Sequence, residues 1–323
     1  MGNMFQTASP KEREIYYTEE WSKEDLPDFI INNLELREFG FDRDGHGPND
    51  RYNKIETPEK LEWFLRRFHP FAAYSSISFY EIPEKRKGWI NAELVFDIDA
   101  KDLPIRRCKC EAGKVCEVCL DDAKEFLLLM EDTLKGDLGV KNIRYVYSGR
   151  GYHVRIFDDD LMKLGSTERG YILDYLCGSV IPEERLLKVK GGYPKVFKDR
   201  LLKFLEFASK ARLKEIPSIG PKKAQEIAEE TTKRKIANEL EEGSLKTLQS
   251  ILKEDSFNRF MQHLRALNAS MLDGKVTVDV KRILRLPSSL HSAASMKCML
   301  IDNLEDFDPF RDAVPKFVAE RKD

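Results

Sequence analysis

The sequence predicts a mixed α and β fold in which sheets and helices are segregated (α+β). Strand-forming residues alternate in Glu93–Asp99, and the strands Ile143–Tyr147 and Tyr152–Phe157 flank a glycine-rich turn typical of a β-hairpin. Apolar residues recur at helical spacing in Asp121–Leu138, and helix follows helix from 200 to 268. We therefore expect antiparallel sheets in one part of the chain and a purely helical segment in another.

Composition restricts the class of protein. The chain has 323 residues, of which 41% are hydrophobic, and this is enough for a sizeable core. Charged residues make up 34%, but the net charge is −2, so any nucleic-acid contact must come from a local basic patch. The sequence has no apolar run of about 18 residues for a membrane span, and its polar beginning lacks a signal-peptide core. We expect an intracellular protein with no membrane partner.

The strand Glu93–Asp99 carries the first candidate site. Side chains two positions apart on a strand share a face, so the apolar residues point into a core while Asp97 and Asp99 lie together on the opposite face. Two adjacent carboxylates repel each other unless a cation lies between them. Oxygen ligands suit Mg²⁺ or Mn²⁺, so the pattern predicts a metal site for phosphoryl or nucleotidyl transfer. The alternative is a strand that simply ends in a polar turn.

Four cysteines follow within twelve residues, at Cys108, Cys110, Cys116 and Cys119. Six cysteines in a chain of this length do not form a disulfide scaffold. Four thiolates on two short loops suit tetrahedral Zn²⁺ without an open coordination position. The pattern therefore predicts a structural zinc knuckle at about 106–120; the alternative is a cluster of unligated thiols.

The turn of the predicted hairpin is Ser148-Gly149-Arg150-Gly151. Glycines on either side of an arginine allow backbone N–H groups to face an anion, and the guanidinium of Arg150 can bind phosphate oxygens through two hydrogen bonds. Ser148 adds a hydroxyl, and His153 follows as a further donor. The turn is thus a candidate phosphate-binding site, although the same residues also form ordinary tight turns.

A basic stretch lies in the predicted helical segment. Residues 185–235 contain 15 Lys and Arg against 6 Asp and Glu, and such a patch can follow a nucleic-acid backbone. Within it, Ile216–Ile227 resembles the helix-hairpin-helix pattern of non-specific DNA binders, with Ser218 where that pattern usually has glycine. The alternatives are a solvated helical face and an ordinary connection between helices.

The last informative segment is Met271–His291. Asp273 precedes a predicted short strand, a helix is expected to begin at Asp279 and continue through Leu284, and Arg285 and His291 follow. Asp279 competes with Asp273 as a further carboxylate ligand.

These motifs resemble those of the small catalytic subunit of archaeal and eukaryotic DNA primases. Phe96–Asp99, Ser148–His153 and Asp273–His291 occur in the family's order, and the cysteine cluster after the first motif matches the family's zinc knuckle. The resemblance extends from Arg37 to His291. One departure is Ser292–Ser295, where many archaeal members have a glycine-rich turn.

The resemblance implies a role for each candidate. A carboxylate triad would bind two Mg²⁺ or Mn²⁺ ions: Asp97, Asp99 and Asp273. Other side chains would hold the nucleotide, through its phosphates (Ser148, Arg150, His153, Arg285, His291) or its sugar (Tyr74). Arg51 aligns near a basic position close to the site. The spacing of Asp273 from His291 fits the family pattern and favours Asp273 over Asp279.

The resemblance also implies an architecture and an activity. A two-sheet primase catalytic module with flanking helices would comprise 1–199 and 266–323, and an all-helical subdomain would be inserted at 200–265. The expected activity is synthesis of short RNA primers, and also DNA, from nucleoside triphosphates on single-stranded DNA, with a large-subunit partner. Two alternatives are a related polymerase that extends existing ends and an inactive nucleic-acid-binding scaffold.

Overall fold

The structure is a computed structural model that describes residues 5–111 and 114–321. Its strands are β1 Glu38–Asp42, β2 Asp50–Lys54, β3 Ala72–Ser76, β4 Ser78–Ile82, β5 Lys87–Ala92, β6 Leu94–Asp99, β7 Ile143–Tyr147, β8 Gly151–Ile156, β9 Ile283–Arg285 and β10 Met299–Ile301. Its α-helices are α1 Pro10–Ile15, α2 Asp28–Ile31, α3 Pro58–Phe68, α4 Glu117–Gly136, α5 Asp159–Met162, α6 Ser166–Cys177, α7 Gly192–Phe207, α8 Lys210–Lys214, α9 Pro221–Ala228, α10 Glu230–Glu241, α11 Lys246–Ala269, α12 Gly274–Val278, α13 Pro309–Asp312 and α14 Lys316–Ala319. The mixed α and β class predicted from the sequence is confirmed.

The first sheet has the strand order β2-β1-β3-β9, and its paired strands are antiparallel. Phe39 and Phe41 point from one face of β1 into a core that contains Tyr16 and Trp21. On the other face, Tyr74 lies opposite Arg285 on β9. This sheet therefore carries Tyr74 and Arg285 on the face turned away from its aromatic core.

The second sheet has the order β10-β7-β8-β6, so β6 is an edge strand. Asp97 pairs with His153, and Asp99 pairs with Gly151. Leu94, Phe96 and Ile98 are fully buried in the core that α4 covers, as the alternation predicted. The carboxylates and the β7–β8 hairpin are consequently neighbours at the end of this sheet.

A buried charge cluster joins the two sheets. Glu93, just before β6, forms ion pairs with Arg37 Nη2 at 2.5 Å and with Arg155 Nε at 2.6 Å. All three side chains are fully buried. Arg37 also donates to the Ser76 carbonyl of the first sheet, whereas Arg155 belongs to β8 of the second. The carboxylate of Glu93 thus fixes one sheet against the other through two guanidinium groups.

Helices α7–α11 surround a hydrophobic core of their own, which also includes Ile105, just before the cysteine cluster. This region is less basic on its surface than its composition suggested, because Lys198 and Arg200 are buried. Lys198 Nζ donates to two backbone carbonyls at 2.9 Å, those of Leu187 and Val189. Within the described residues, no helix is long and apolar enough to cross a membrane.

The segment after Asp273 differs from the sequence prediction. The expected strand is the short helix α12, because the Asp273 side chain accepts a hydrogen bond from Lys275 N at 3.0 Å and caps the helix N-terminus. Asp279 ends this helix instead of beginning one. The helix expected through Leu284 is also wrong: Leu284 lies on β9, where it pairs with Ser75 of β3.

Candidate active site

Three carboxylates meet at the exposed end of β6. Asp97 and Asp99 project from the strand, and the backbone N–H of Asp273 donates to the Asp97 carbonyl at 3.1 Å, which fixes the start of α12 beside them. Burial, together with the charges of Asp99 and Asp273, raises the pKa of Asp97 to about 7. Carboxylates that repel one another in this way are suited to binding divalent cations, because the positive charge would relieve the repulsion.

Lys101 is a neighbour that the sequence prediction missed. Its Nζ lies 2.8 Å from Asp99 Oδ2, and it also contacts Asp102. The signal was present in the sequence, because Lys101 follows Asp99 by two positions, in the turn directly after the strand. Lys101 offsets part of the negative charge of this site.

The β7–β8 turn packs closely against its surroundings, and this explains its glycines. Gly149 has φ +102°, and a Cβ there would clash with the Cβ of His291. A Cβ on Gly151 would clash with the Ile98 carbonyl of β6. Ser148 N donates to the Gly151 carbonyl at 2.9 Å and closes the turn. The glycines thus bring Ser148 and Arg150 close to both His291 and the carboxylate strand.

Two arginines and two histidines converge around this turn. Arg285 Nη1 donates to the Ser148 carbonyl at 3.0 Å, so β9 and the hairpin are joined directly. Burial lowers the pKa of Arg150, but a guanidinium stays charged at neutral pH. Among the described residues, Arg150 Nε and Arg285 Nε have no hydrogen-bond partner. We call the set Ser148, Arg150, His153, Arg285 and His291 the basic clamp.

Both histidines of the basic clamp are neutral donors. Burial lowers the pKa of His153 and of His291 well below the usual value, and the charge of Arg285 adds to this in both cases. His291 Nδ1 accepts a hydrogen bond from Ala293 N at 3.0 Å, so its Nε2 carries the proton. His153 Nε2 lies 3.5 Å from Asp97 Oδ1, a contact between a neutral imidazole and a carboxyl group.

The remaining residues that the sequence analysis singled out differ in whether they reach the basic clamp. Tyr74 is nearly buried, and the Arg285 guanidinium lies 5.5 Å from its ring centroid. Arg51 lies on the outer strand β2 and bonds to Glu38 at 2.9 and 3.1 Å. Asp279 is exposed and pairs with Arg282 at 3.4 Å. The structure therefore brings Tyr74 to the basic clamp, whereas Arg51 and Asp279 are engaged elsewhere.

The four cysteines form a separate cluster. One sulfur from each lies within 4.8 Å of the others, with Cys108 Sγ 3.0 Å and Cys116 Sγ 3.6 Å from Cys119 Sγ. Tetrahedral Zn²⁺ with bonds of about 2.3 Å separates its sulfurs by roughly 3.8 Å. The cluster can hold a metal such as zinc. The predicted span 106–120 includes Ala112 and Gly113, which lie outside the described residues.

The segment resembling a helix-hairpin-helix joins α8 to α9. Ser218 has φ +74°, the left-handed conformation for which that pattern uses glycine. Lys223 is turned inward, where its Nζ donates to the Leu252 carbonyl and to Ser256 Oγ, both at 3.0 Å. The backbone follows the pattern, and DNA binding by this turn stays a prediction.

A cluster of carboxylates beside a basic clamp can bind divalent cations together with the phosphates of a nucleotide. The site is therefore that of a protein that acts on nucleotides.

Comparison with known proteins agrees with a protein that acts on nucleotides. The family model for the DNA primase small subunit matches residues 96–301. The DNA primase small subunit PriS of Methanothermobacter thermautotrophicus is 46% identical over 322 residues, which cover 99% of each chain. The corresponding protein of Thermococcus kodakarensis is 42% identical over 99% of this chain and 96% of its own. The chain belongs to the DNA primase small subunit family.

Proposed function

We propose that this chain is a DNA-dependent RNA polymerase that synthesises short primers on single-stranded DNA. Ribonucleoside triphosphates would be its substrates, with deoxyribonucleoside triphosphates as a second class. The main observation that supports this proposal is that Asp97, Asp99 and Asp273 lie together beside the basic clamp. Membership of the primase small-subunit family supports the same activity.

The three carboxylates would hold two Mg²⁺ or Mn²⁺ ions, whose charge would offset the repulsion that helps raise the pKa of Asp97. When bound, such ions would activate the 3′-hydroxyl of the growing strand and stabilise the departing pyrophosphate. Asp97 and Asp99 are held by β6, and Asp273 is held by its backbone bond to Asp97. This arrangement lets segments far apart in the sequence act as one ligand set.

The basic clamp would hold the triphosphate. The guanidinium groups of Arg150 and Arg285 supply fixed positive charge, and both retain N–H groups without a partner among the described residues. His291 Nε2–H is an uncharged donor whose orientation is set by the bond from Ala293. Tyr74 would contact the ribose, and its position beside Arg285 supports this role.

The proposal extends to the cysteine cluster, the domain organisation and the partner. The cysteine cluster would hold structural Zn²⁺. The helical segment 200–265 would be an insertion between 1–199 and 266–323, and the separate core of α7–α11 supports this. Because the relatives are named small subunits, we propose a large-subunit partner and a place inside the cell.

The test compares two carboxylates that lie six positions apart. We expect Asp273→Asn to reduce primer synthesis by at least about a hundredfold, because one metal ligand is lost. The matched control is Asp279→Asn, which should stay near wild type because the Asp279 carboxylate is engaged away from the site, with Arg282 at 3.4 Å and Lys281 N at 3.0 Å. Synthesis on bare single-stranded DNA is measured with Mg²⁺ or Mn²⁺, for the chain alone and with its large subunit.

Three results would contradict the proposal. Incorporation only on a pre-annealed primer, even with the partner, would favour a polymerase that extends existing ends. Absence of both incorporation and metal-dependent nucleotide binding in the wild type would favour a nucleic-acid-binding scaffold. Equal losses in Asp273→Asn and Asp279→Asn would show that the ligand set is assigned wrongly.

A further inference from the structure

Arg169 on α6 is a fully buried arginine that the proposed chemistry does not use. Its side chain donates to three backbone carbonyls: Nη1 to Glu93 at 2.7 Å, Nη2 to Ala92 at 2.7 Å and Nε to Leu164 at 3.0 Å. Ala92 and Glu93 immediately precede β6, whereas Leu164 lies just before α6. One guanidinium group therefore ties α6 to the start of the strand that carries two of the carboxylates.

The same face of α6 supports α12. Leu173 follows Arg169 by four positions, and residues at this spacing lie on one face of a helix. A Cβ added to Gly274, the first residue of α12, would lie 3.0 Å from Leu173 Cδ2, so the two helices pack tightly at this point. Asp273 immediately precedes Gly274 and is the carboxylate that α12 brings to the site. The position of Asp273 therefore depends on where α6 lies.

The helix α12 is thus linked to both ends of β6. Near the carboxyl end of the strand, Asp273 N donates to the Asp97 carbonyl at 3.1 Å. At the beginning of the strand, the link runs through Arg169 and α6. A single hydrogen bond restrains the distance between two atoms, whereas a second link at another point also restrains the direction of the helix. Groups of an active site have to be held within about 0.5 Å of the productive geometry.

Arginine suits this link better than lysine. A guanidinium is planar and presents its N–H donors in a rigid fork, so one side chain can bond to three carbonyls, whereas an ammonium is a compact charge on a flexible stem. Burial lowers the pKa of Arg169 to about 10, and the charge of Glu93 acts in the opposite direction. Arg169 therefore stays charged at neutral pH, with its charge offset by carbonyl oxygens and by Glu93.

We propose that Arg169 is a positioning residue for the carboxylates. It fixes α6 against the start of β6 and thereby sets where Asp273 lies relative to the two carboxylates of the strand. This inference rests on the proposed function, in which the three carboxylates bind metal ions together. Arg169 acts through backbone carbonyls and α12, so its replacement should weaken metal binding and leave the nucleotide contacts of the basic clamp unchanged.

The experiment compares Arg169→Lys with Arg13→Lys in the full chain. Arg13 is also buried, and its guanidinium donates to the carbonyls of Ala8 at 2.6 Å and His69 at 3.0 Å, but it lies on α1. Binding of Mn²⁺ without nucleotide is measured by electron paramagnetic resonance, and Asp273→Asn identifies the binding that comes from the carboxylates. We expect Arg169→Lys to weaken this binding about tenfold, a typical effect of residues that orient metal ligands. Arg13→Lys should lower the thermal midpoint without changing Mn²⁺ binding.

Primer synthesis gives a second readout. Arg169→Lys should raise the Mn²⁺ concentration for half-maximal synthesis about tenfold and leave KM for the nucleoside triphosphate at saturating Mn²⁺ unchanged. Leu173→Ala interrupts the same path where α6 contacts α12, and it should shift the Mn²⁺ titration in the same direction. This second variant tests the inference even where Arg169→Lys does not fold.

The outcomes separate this inference from the proposed function. Equal Mn²⁺ binding in Arg169→Lys and Arg13→Lys would overturn the inference and leave Arg169 a purely structural residue. A higher nucleotide KM together with wild-type Mn²⁺ binding would overturn it as well. A wild type that binds Mn²⁺ through its carboxylates but makes no primers would overturn the proposed function alone, because the Mn²⁺ titration still tests Arg169. A wild type without Mn²⁺ binding would overturn both.

Discussion

Replacing Glu93 by glutamine tests the buried cluster that joins the two sheets. Glu93 is fully buried and lies 2.5 Å from Arg37 and 2.6 Å from Arg155, both also fully buried. Glutamine keeps the shape but removes the negative charge, so two buried guanidinium groups lose their shared counter-ion. Breaking a buried pair in this way costs about 3–5 kcal/mol. This is a large part of the roughly 5–15 kcal/mol that stabilises a typical domain.

Urea unfolding followed by circular dichroism measures this loss. We expect a lower midpoint for Glu93→Gln with an unchanged slope, since the surface exposed on unfolding stays the same. The control is Glu59→Gln, because Glu59 pairs with Lys23 at 2.8 Å but its side chain is 64% exposed. An exposed pair of this kind contributes little to stability, because water and salt screen both charges. A loss for Glu93→Gln no larger than for Glu59→Gln would refute the reasoning.

Three further predictions follow from the active site and from the cysteine cluster. Gly149→Ala should strongly reduce nucleotide binding, measured by calorimetry, because the added Cβ meets His291 at a backbone conformation that favours glycine; wild-type affinity would contradict the packing argument. Cys119→Ser should lower the bound metal content found by elemental analysis and lower the thermal midpoint, whereas the matched change Cys298→Ser, at a cysteine outside the cluster, should leave the metal content unchanged. The pKa of Asp97 is raised to about 7 on folding, so the folded state holds a proton that the unfolded state releases. In chelator, the stability of the wild type should therefore fall from about pH 4 to about pH 7; Asp97→Asn should remove this part of the fall, and identical pH profiles for the two proteins would contradict it.

Local patterns in the sequence were sufficient for several parts of the molecule. The alternation in Leu94–Asp99 predicted that Leu94, Phe96 and Ile98 are buried together and that Asp97 and Asp99 share the opposite face. The spacing of the cysteines predicted their cluster. Ser148–Gly151 predicted a tight turn between two strands, and the structure has it. These predictions succeed because periodicity and turn chemistry act between residues a few positions apart.

The tertiary structure decided what distant segments do together. Asp273 reaches Asp97 only because its backbone N–H bonds to the edge strand β6. Local propensity favoured a strand after Asp273, but the capping bond to Lys275 N makes a helix there. Arg285 reaches the hairpin because β9 adds to the first sheet and its side chain extends to Ser148. Strand order and side-chain capping depend on the packing of the whole chain, so no local periodicity encodes them.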